Sequence, residues 1–213
     1  MSLPLLIHGL GSMGLFASRA FLPAFATSLL LRFGPQVPWI AKTGLLGHVR
    51  GVPTWFTSDS TLIILGLLAV LEFVAQRVPE ARVILETMHR SLKVGMATLT
   101  FLGVLSVTDL TVIGGITGDW NSPAYLSALT VGAGTYLASR VRGAVFDPLS
   151  EMDEDDDLGL QGLVRWVEDL WGVLGPVALV VFPILTLSAF GLAVFLLVLV
   201  ERRIERLGES ATV

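Results

Sequence analysis

G-S-M-G-L-F-A-S-R-A-F-L-P-A-F, at residues 11–25, returns at residues 132–146 in a second version, G-A-G-T-Y-L-A-S-R-V-R-G-A-V-F. Both stretches are apolar and rich in small residues, and both carry Ala-Ser-Arg near the middle. Aligning them makes Arg19 and Arg140 equivalent. A repeated half with an arginine inside an apolar helix is typical of membrane transport folds. The repeat therefore predicts a duplicated, all-α integral membrane protein.

Composition favours a membrane location. Apolar residues make up 53% of the chain and charged residues only 15%, whereas soluble domains average about 25% charged residues. No charged residue occurs in three blocks, at 61–71, 94–107 and 177–200. About 20 apolar residues cross the hydrocarbon layer of a bilayer. The chain has no cysteine, which excludes disulfides and thiolate metal sites.

Hydropathy predicts about six transmembrane helices. The clear spans cover residues 4–31, 61–76, 93–116, 123–146 and 177–200. We expect the first to be kinked or broken near Pro23. An amphipathic helix at 80–92 is expected to lie on the membrane surface. A second amphipathic segment, 158–174, decides the count, which is six if the segment crosses and five if it does not.

The distribution of positive charge favours six spans. Both termini then lie on one side of the membrane, which carries Arg77, Arg82, Arg90, Lys93, Arg202, Arg203 and Arg206. The other side carries Arg32, Lys42 and Arg50. By the positive-inside rule, both termini are cytoplasmic. With five spans the bias almost disappears, so we favour six.

Six spans divide into two inverted three-helix repeats, because an odd number of crossings inverts the second half. The first repeat covers residues 1–118 and includes the surface helix at 80–92. The second repeat covers residues 119–213 and includes an acidic loop at 147–157. A further echo supports the division, since G-L-L-A-V-L-E ending at Glu72 resembles G-L-V-R-W-V-E ending at Glu168. Each half thus has one glutamate in its middle helix.

The two arginines need partners. An unpaired arginine at the centre of a membrane helix costs about 2.5–3.5 kcal/mol on insertion scales. The carboxylates available to them are Glu72, Glu168, Asp109 and Asp169. We expect Arg19 and Arg140 to meet these acids inside the bundle, near the pseudo-two-fold axis. Two interpretations stay open: a site for an anion, a proton or a polar headgroup, and a buried ion pair that fixes helix register.

Other site chemistry has little support. Gly9, Gly11 and Gly14 match G-x-G-x-x-G, but neither the preceding strand nor the later acidic residue of a dinucleotide site is present. These glycines, like Gly132 and Gly134, are expected to let helices approach closely. No enzyme motif, cofactor site or metal site is visible, so an enzyme is disfavoured. The sequence has no stripe of basic residues interleaved with aromatics, which argues against nucleic-acid binding.

Two segments carry a family resemblance. S-R-A-F-L-P at 18–23 and L-L-A-V-L-E-F-V-A-Q-R-V-P at 67–79 resemble the bacterial integral-membrane family catalogued as domain of unknown function 4126. That family shows a G-L-R-A-F-L-P-like start and an L-x-E-x-x-A-D-K-I-P-like second helix. Here Ser18 replaces the usual leucine, and Gln76-Arg77 replaces Asp-Lys. The resemblance covers roughly the first half of the chain, implies an inner-membrane protein and supplies no activity.

The leading functional hypothesis is a small channel or transporter for an ion or small polar solute. Its pathway would be lined by Arg19, Arg140, Glu72, Glu168 and Asp109. The alternative is a non-transporting membrane scaffold that organises partners or lipids and uses its ion pairs structurally. An enzyme acting on lipid or isoprenoid substrates ranks third. The expected partner is the lipid bilayer, and a homo-oligomer could complete the two narrow three-helix units.

Overall fold

The described part of the chain is built from α-helices. A computed structural model describes residues 3–42, 46, 54–75, 77, 79–108, 123–152, 160–182, 188, 191 and 195. Over these residues there are six α-helices: α1 Leu3–Leu15, α2 Phe21–Phe33, α3 Asp59–Ala75, α4 Pro79–Thr108, α5 Pro123–Met152 and α6 Leu160–Val181. A 3-10 turn, Gly34–Gln36, follows α2. The all-α class expected from the sequence is confirmed.

The first apolar segment is broken, but the break precedes Pro23. Helix α1 ends at Leu15 and α2 begins at Phe21, with residues 16–20 forming a turn between them. Pro23 lies in the first turn of α2, where its missing N–H has no helical acceptor to lose. The proline therefore starts the second helix instead of kinking a single long one.

Three expected boundaries differ from the structure. The helix expected at 80–92 is not separate, because α4 runs without interruption from Pro79 to Thr108. Residues 147–152 belong to α5 and not to the acidic loop. The expected division between 158–174 and 177–200 is absent, because α6 continues through Pro176 to Val181. A proline in a helix loses one hydrogen bond, and close packing of the neighbouring Gly175 against Leu15 holds the helix in place.

The remaining boundary predictions fall on other parts of the chain. Asp109, the acidic residues 153–157 and most of the last predicted span lie outside the described residues. Of that span beyond α6, Ser188, Gly191 and Phe195 are helical. The helix predicted at 61–76 is confirmed, and it begins two residues earlier, at Asp59.

Helices α1 and α2 lie at the centre of the bundle. Helix α1 packs against α4, α5 and α6, and α2 packs against α3, α4 and α6. The apolar core includes Leu15, Phe16, Leu31, Phe101, Val104, Leu179 and Val180. It therefore draws on helices from both predicted halves of the chain.

Glycines permit several of these close contacts. A Cβ on Gly9 would meet Phe101 at 2.8 Å, and one on Gly11 would collide with Leu179. In the second stretch, a Cβ on Gly132 would collide with Thr98, and one on Gly134 with Met13. The prediction that these four glycines let helices approach closely is confirmed.

The loop before α3 docks onto the C-terminal half of α2. Ser28 donates a hydrogen bond to the Phe56 carbonyl over 2.6 Å, and Arg32 pairs with Asp59 at 2.6 Å. The Phe56 ring lies against Gly103 of α4, at a distance that leaves no room for a Cβ. These contacts hold α2 between α3 and α4, which fixes the direction from which α3 reaches the break.

Large apolar side chains cover the outer faces of three helices. On α3 these are Ile63, Ile64, Leu67, Val70, Leu71 and Val74. On α5 and α6 they are Leu126, Leu129, Tyr136, Leu137, Trp166, Val167, Leu170, Val173 and Leu174. In the described ranges, no helix has both the length and the apolar character needed to cross a membrane.

Candidate functional site

Charged side chains from four helices converge on the break between α1 and α2. Arg19 lies in the break itself, and the others come from α3, α4, α5 and α6. We call this set the break cluster: Arg19, Glu72, Lys93, Arg142, Glu168 and Asp169. It contains three basic and three acidic residues, so its formal charges balance.

Arg19 is the most deeply buried cation of the break cluster. Its side chain is 3% exposed, and its Nη2 donates to Oδ1 of Asp169 on α6. Its Nε and Nη1 atoms are buried and have no acceptor in the part of the chain that the structure describes. A guanidinium has five N–H groups, and three of them belong to these two nitrogens. Arg19 is thus anchored through one nitrogen and retains donors on the other two.

Glu72 caps the start of α2 from the neighbouring helix α3. Its carboxylate accepts hydrogen bonds from the backbone N–H groups of Ala20 at 2.7 Å, Phe21 at 2.9 Å and Leu22 at 3.2 Å. The first N–H groups of a helix have no helical acceptor, and the helix dipole favours negative charge there. Ala20 offers no capping side chain of its own. Glu72 therefore supplies the cap that the local sequence lacks.

The end of α1 is satisfied by the opposite charge. Lys93 of α4 donates to the Ala17 carbonyl over 2.9 Å, and Ser139 of α5 donates to the same oxygen over 3.2 Å. Carbonyls at the end of a helix lack helical donors, and cations are favoured beside them. The break is therefore held by an acid at the start of α2 and a base at the end of α1.

A second ion pair lies beside Arg19. Nε of Arg142 donates to Oε1 of Glu168 over 2.5 Å, and Nη2 contacts the same oxygen. The Arg142 side chain is 28% exposed, so this pair reaches the edge of the bundle. Adjacent residues of α6, Glu168 and Asp169, thus bind arginines from α5 and from the break.

The structure brings together three of the five predicted site residues. Arg19, Glu72 and Glu168 belong to the break cluster, although the acid that binds Arg19 directly is Asp169. Arg140 is exposed on α5 and does not join the break cluster. Asp109 lies outside the described residues.

Helical periodicity explains the position of Arg140. Ser139 faces the break, and Arg142 follows three residues later on the same face of α5. Residues one apart on a helix differ by about 100° around its axis, whereas residues three apart share a face. Aligning the two Ala-Ser-Arg segments by sequence selected the arginine next to Ser139 and missed the one on its face.

Lys93, Ser139 and Arg142 were not predicted as site residues, but their sequence context indicates them. On α5, small and polar residues recur at helical spacing, at Gly132, Thr135, Ser139 and Arg142. On α4, the buried positions Lys93, Ala97, Thr100 and Val104 follow the same spacing. A search for polar positions on one helix face would have found all three.

The break cluster can bind charge and hold a helix break. Among the described residues, no group of three or more His, Asp or Glu side chains is placed to hold a metal ion.

Comparison with protein-family models, curated proteins and solved structures finds no match to this chain. The resemblance to domain of unknown function 4126 therefore stays a prediction from the two segments that carry it.

Proposed function

We propose that this chain is a bacterial inner-membrane protein that conducts or transports a small ion or polar solute, with the break cluster as its binding site. The observation that carries the proposal is the position of Arg19. Its guanidinium is buried at a helix break and keeps N–H groups on two nitrogens without an acceptor among the described residues. Ionisable groups inside a membrane bundle default to functional sites, because they are expensive to keep there.

The outer surface supports the membrane part of the proposal. The apolar side chains of α3 recur at positions 63, 67, 70, 71 and 74, and each is at least half exposed. Water-soluble proteins rarely expose a large contiguous apolar patch. An apolar exterior around buried charge suits a lipid environment, as does the resemblance to an integral-membrane family.

The broken helix supports the transport part. Discontinuous helices place half-helix ends near the middle of a membrane, where they bind substrates and coupling ions. Here the N-terminal end of α2 binds the Glu72 carboxylate and the C-terminal end of α1 binds the Lys93 ammonium. In our proposal the two inverted three-helix repeats meet at this break.

Flux measurements test the proposed activity. The purified chain would be placed in liposomes and assayed with reporters of chloride, protons and potassium, and with labelled acetate and phosphate. We expect at least one solute to cross about tenfold faster than in empty liposomes, a difference of about 1.4 kcal/mol in barrier height. Arg19→Gln should abolish that excess, because it removes the charged N–H donors that would bind the solute. Arg140→Gln, at an exposed arginine, should keep it.

Solute fluxes no faster than those of empty liposomes would contradict the transport proposal.

The membrane location has its own test, because the chain has no cysteine and single cysteines can be added without background. Lys42→Cys and Arg77→Cys sit at exposed positions. An impermeant thiol reagent should label the first in intact spheroplasts and the second only in inside-out vesicles. Labelling of both from the same side would contradict the predicted topology.

The second candidate is a non-transporting membrane scaffold, alone or as a homo-oligomer. It is favoured by one observation: Glu72 and Lys93 of the break cluster, together with the neighbouring Ser139, satisfy backbone groups of the break itself. Under this proposal the charges fix helix register. A folded chain that carries no flux above empty liposomes, together with a loss of stability in Arg19→Gln, would support it over the channel.

A further inference from the structure

We infer that the buried N–H groups of Arg19 bind one compact monovalent oxyanion, a carboxylate or phosphate group, within the break cluster. The inference rests on the proposed function and names the class of solute or headgroup that its site would take.

The donors come first. Nε and Nη1 of Arg19 are buried, and neither has an acceptor in the described part of the chain. Leaving a buried charged donor unpaired costs more than leaving a neutral one, and buried polar groups are nearly always paired. Water at the surface does not satisfy these donors, since the Arg19 side chain is only 3% exposed. The unused donors therefore indicate a ligand that lies inside the bundle.

The chemistry of the donors selects an oxyanion. A guanidinium is planar, has no acceptor, and presents N–H groups whose spacing matches the oxygens of carboxylates and phosphates. These charge-assisted bonds are about twice as strong as neutral ones. A metal cation would be repelled by the guanidinium, which has no acceptor atom to offer it. The ligand must therefore bring oxygen atoms that carry negative charge.

Charge balance limits the ligand to a single negative charge. Asp169 pairs directly with the guanidinium, and Glu72 and Glu168 belong to the same break cluster. Lys93 completes a set of three bases and three acids. A monoanion leaves the break cluster with one excess negative charge. A dianion would leave it with two, beside three carboxylates. Acetate and dihydrogen phosphate fit this limit, as does the phosphodiester of a lipid headgroup.

The test is a binding measurement on the purified full chain in nanodiscs of neutral phosphatidylcholine. Sodium acetate and sodium phosphate would be titrated against sodium chloride of equal ionic strength, and the shift in unfolding temperature recorded. We expect a saturable upward shift with at least one oxyanion. Arg19→Lys should weaken its affinity about tenfold, because an ammonium keeps the charge but loses the planar donors. The matched control, Arg140→Lys, should bind within about twofold of the original chain.

A second variant keeps the inference falsifiable if Arg19→Lys does not fold. Asp169→Asn removes a negative charge beside the guanidinium while keeping an acceptor for its Nη2, so the oxyanion should bind several-fold more tightly. Unchanged or weaker binding in Asp169→Asn would overturn the inference. So would the absence of any saturable shift beyond that of sodium chloride in every arm.

A lipid arm identifies the source of the oxyanion. Phosphatidylglycerol replaces part of the neutral lipid, and a stabilisation that requires Arg19 and outcompetes acetate and phosphate assigns the site to a headgroup. Failure of this inference is distinguishable from failure of the transport proposal. Oxyanion binding without flux leaves the inference standing and removes transport, whereas flux without Arg19-dependent binding does the reverse.

Discussion

The two Ala-Ser-Arg segments have the same sequence but differ in backbone conformation and burial. Ala17-Ser18-Arg19 lies in a break between two helices, with Arg19 buried. Ala138-Ser139-Arg140 lies inside the continuous helix α5, with Arg140 exposed. The segments nevertheless meet, because Ser139 donates a hydrogen bond to the Ala17 carbonyl.

The residues around each segment account for the difference. Pro23 follows Arg19 by four residues and suits the first turn of a new helix, whereas Ala144 stands at the corresponding place after Arg140. Glu72 binds the N–H groups that the break exposes, while its counterpart Glu168 binds a side chain, Arg142. A short sequence repeat therefore fixes neither the backbone conformation nor the burial of its residues.

The largest effect should come from Glu72, and it should exceed that of its counterpart Glu168. Glu72→Gln removes the charge that three backbone N–H groups share and should lower the free energy of unfolding by about 3–5 kcal/mol, as for a broken buried ionic network. Glu168→Gln should cost about 1 kcal/mol, because Arg142 can turn to the edge of the bundle. Denaturant unfolding of the purified chain measures both. Equal losses would mean that Glu72 has no special role at the break.

Proline placement should come next. Ala144→Pro introduces at α5 the residue that starts α2, and it should cost about 3 kcal/mol because position 144 is inside a continuous helix. Pro23→Ala should cost about 1 kcal/mol or less, since a first-turn position needs no N–H. Helix content by circular dichroism and unfolding in denaturant check the pair. If Ala144→Pro is tolerated as well as Pro23→Ala, then α5 is not continuous there.

Alanine substitutions of two glycines should change the free energy of unfolding less, and in opposite directions. Gly132→Ala forces a methyl group against Thr98, close to the Val94 carbonyl, and should cost about 1–3 kcal/mol. Gly95→Ala, on α4 and with nothing within 4 Å of the added carbon, should stabilise the chain by about 0.5–1 kcal/mol through helix propensity. Unfolding temperatures that move in the same direction would contradict the close packing of α4 and α5.

The two arginines of α5 should differ least. Arg142→Gln breaks a partly exposed ion pair and should cost about 1 kcal/mol. Arg140→Gln should stay within about 0.5 kcal/mol of the original stability, as is usual for exposed positions. The same denaturant titration compares them, and a larger loss for Arg140 would restore the equivalence of Arg19 and Arg140.

Much of the helical architecture could be predicted from the sequence. Hydropathy located α3 to within two residues, and the small residues of both repeats correctly predicted close helix contacts. A kink or break near Pro23 was expected because proline breaks helices, and the structure has the break at residues 16–20, just before that proline. Its preference for the first turn of a helix accounts for the observed position.

The details of the site could be predicted only in part. Burial of Arg19 and participation of Glu72 follow from the rule that membrane charges need partners. The choice of Asp169 over Glu168, and of Arg142 over Arg140, depends on how each helix is rotated about its axis. Lys93 was missed because a boundary was placed at its position, so the continuous face of α4 was not considered. Helix rotation is set by packing between helices, which a repeat alignment ignores.

The ion pair between Arg19 and Asp169 is the part of this account on which the rest depends. A double-mutant cycle with Arg19→Gln, Asp169→Asn and the combined variant measures it directly, through the unfolding free energy of each purified chain. We predict that the double variant is less destabilised than the sum of the single ones, with a coupling energy of about 1–3 kcal/mol. Losses that add to within about 0.5 kcal/mol would show that Arg19 is not held by Asp169 at the break.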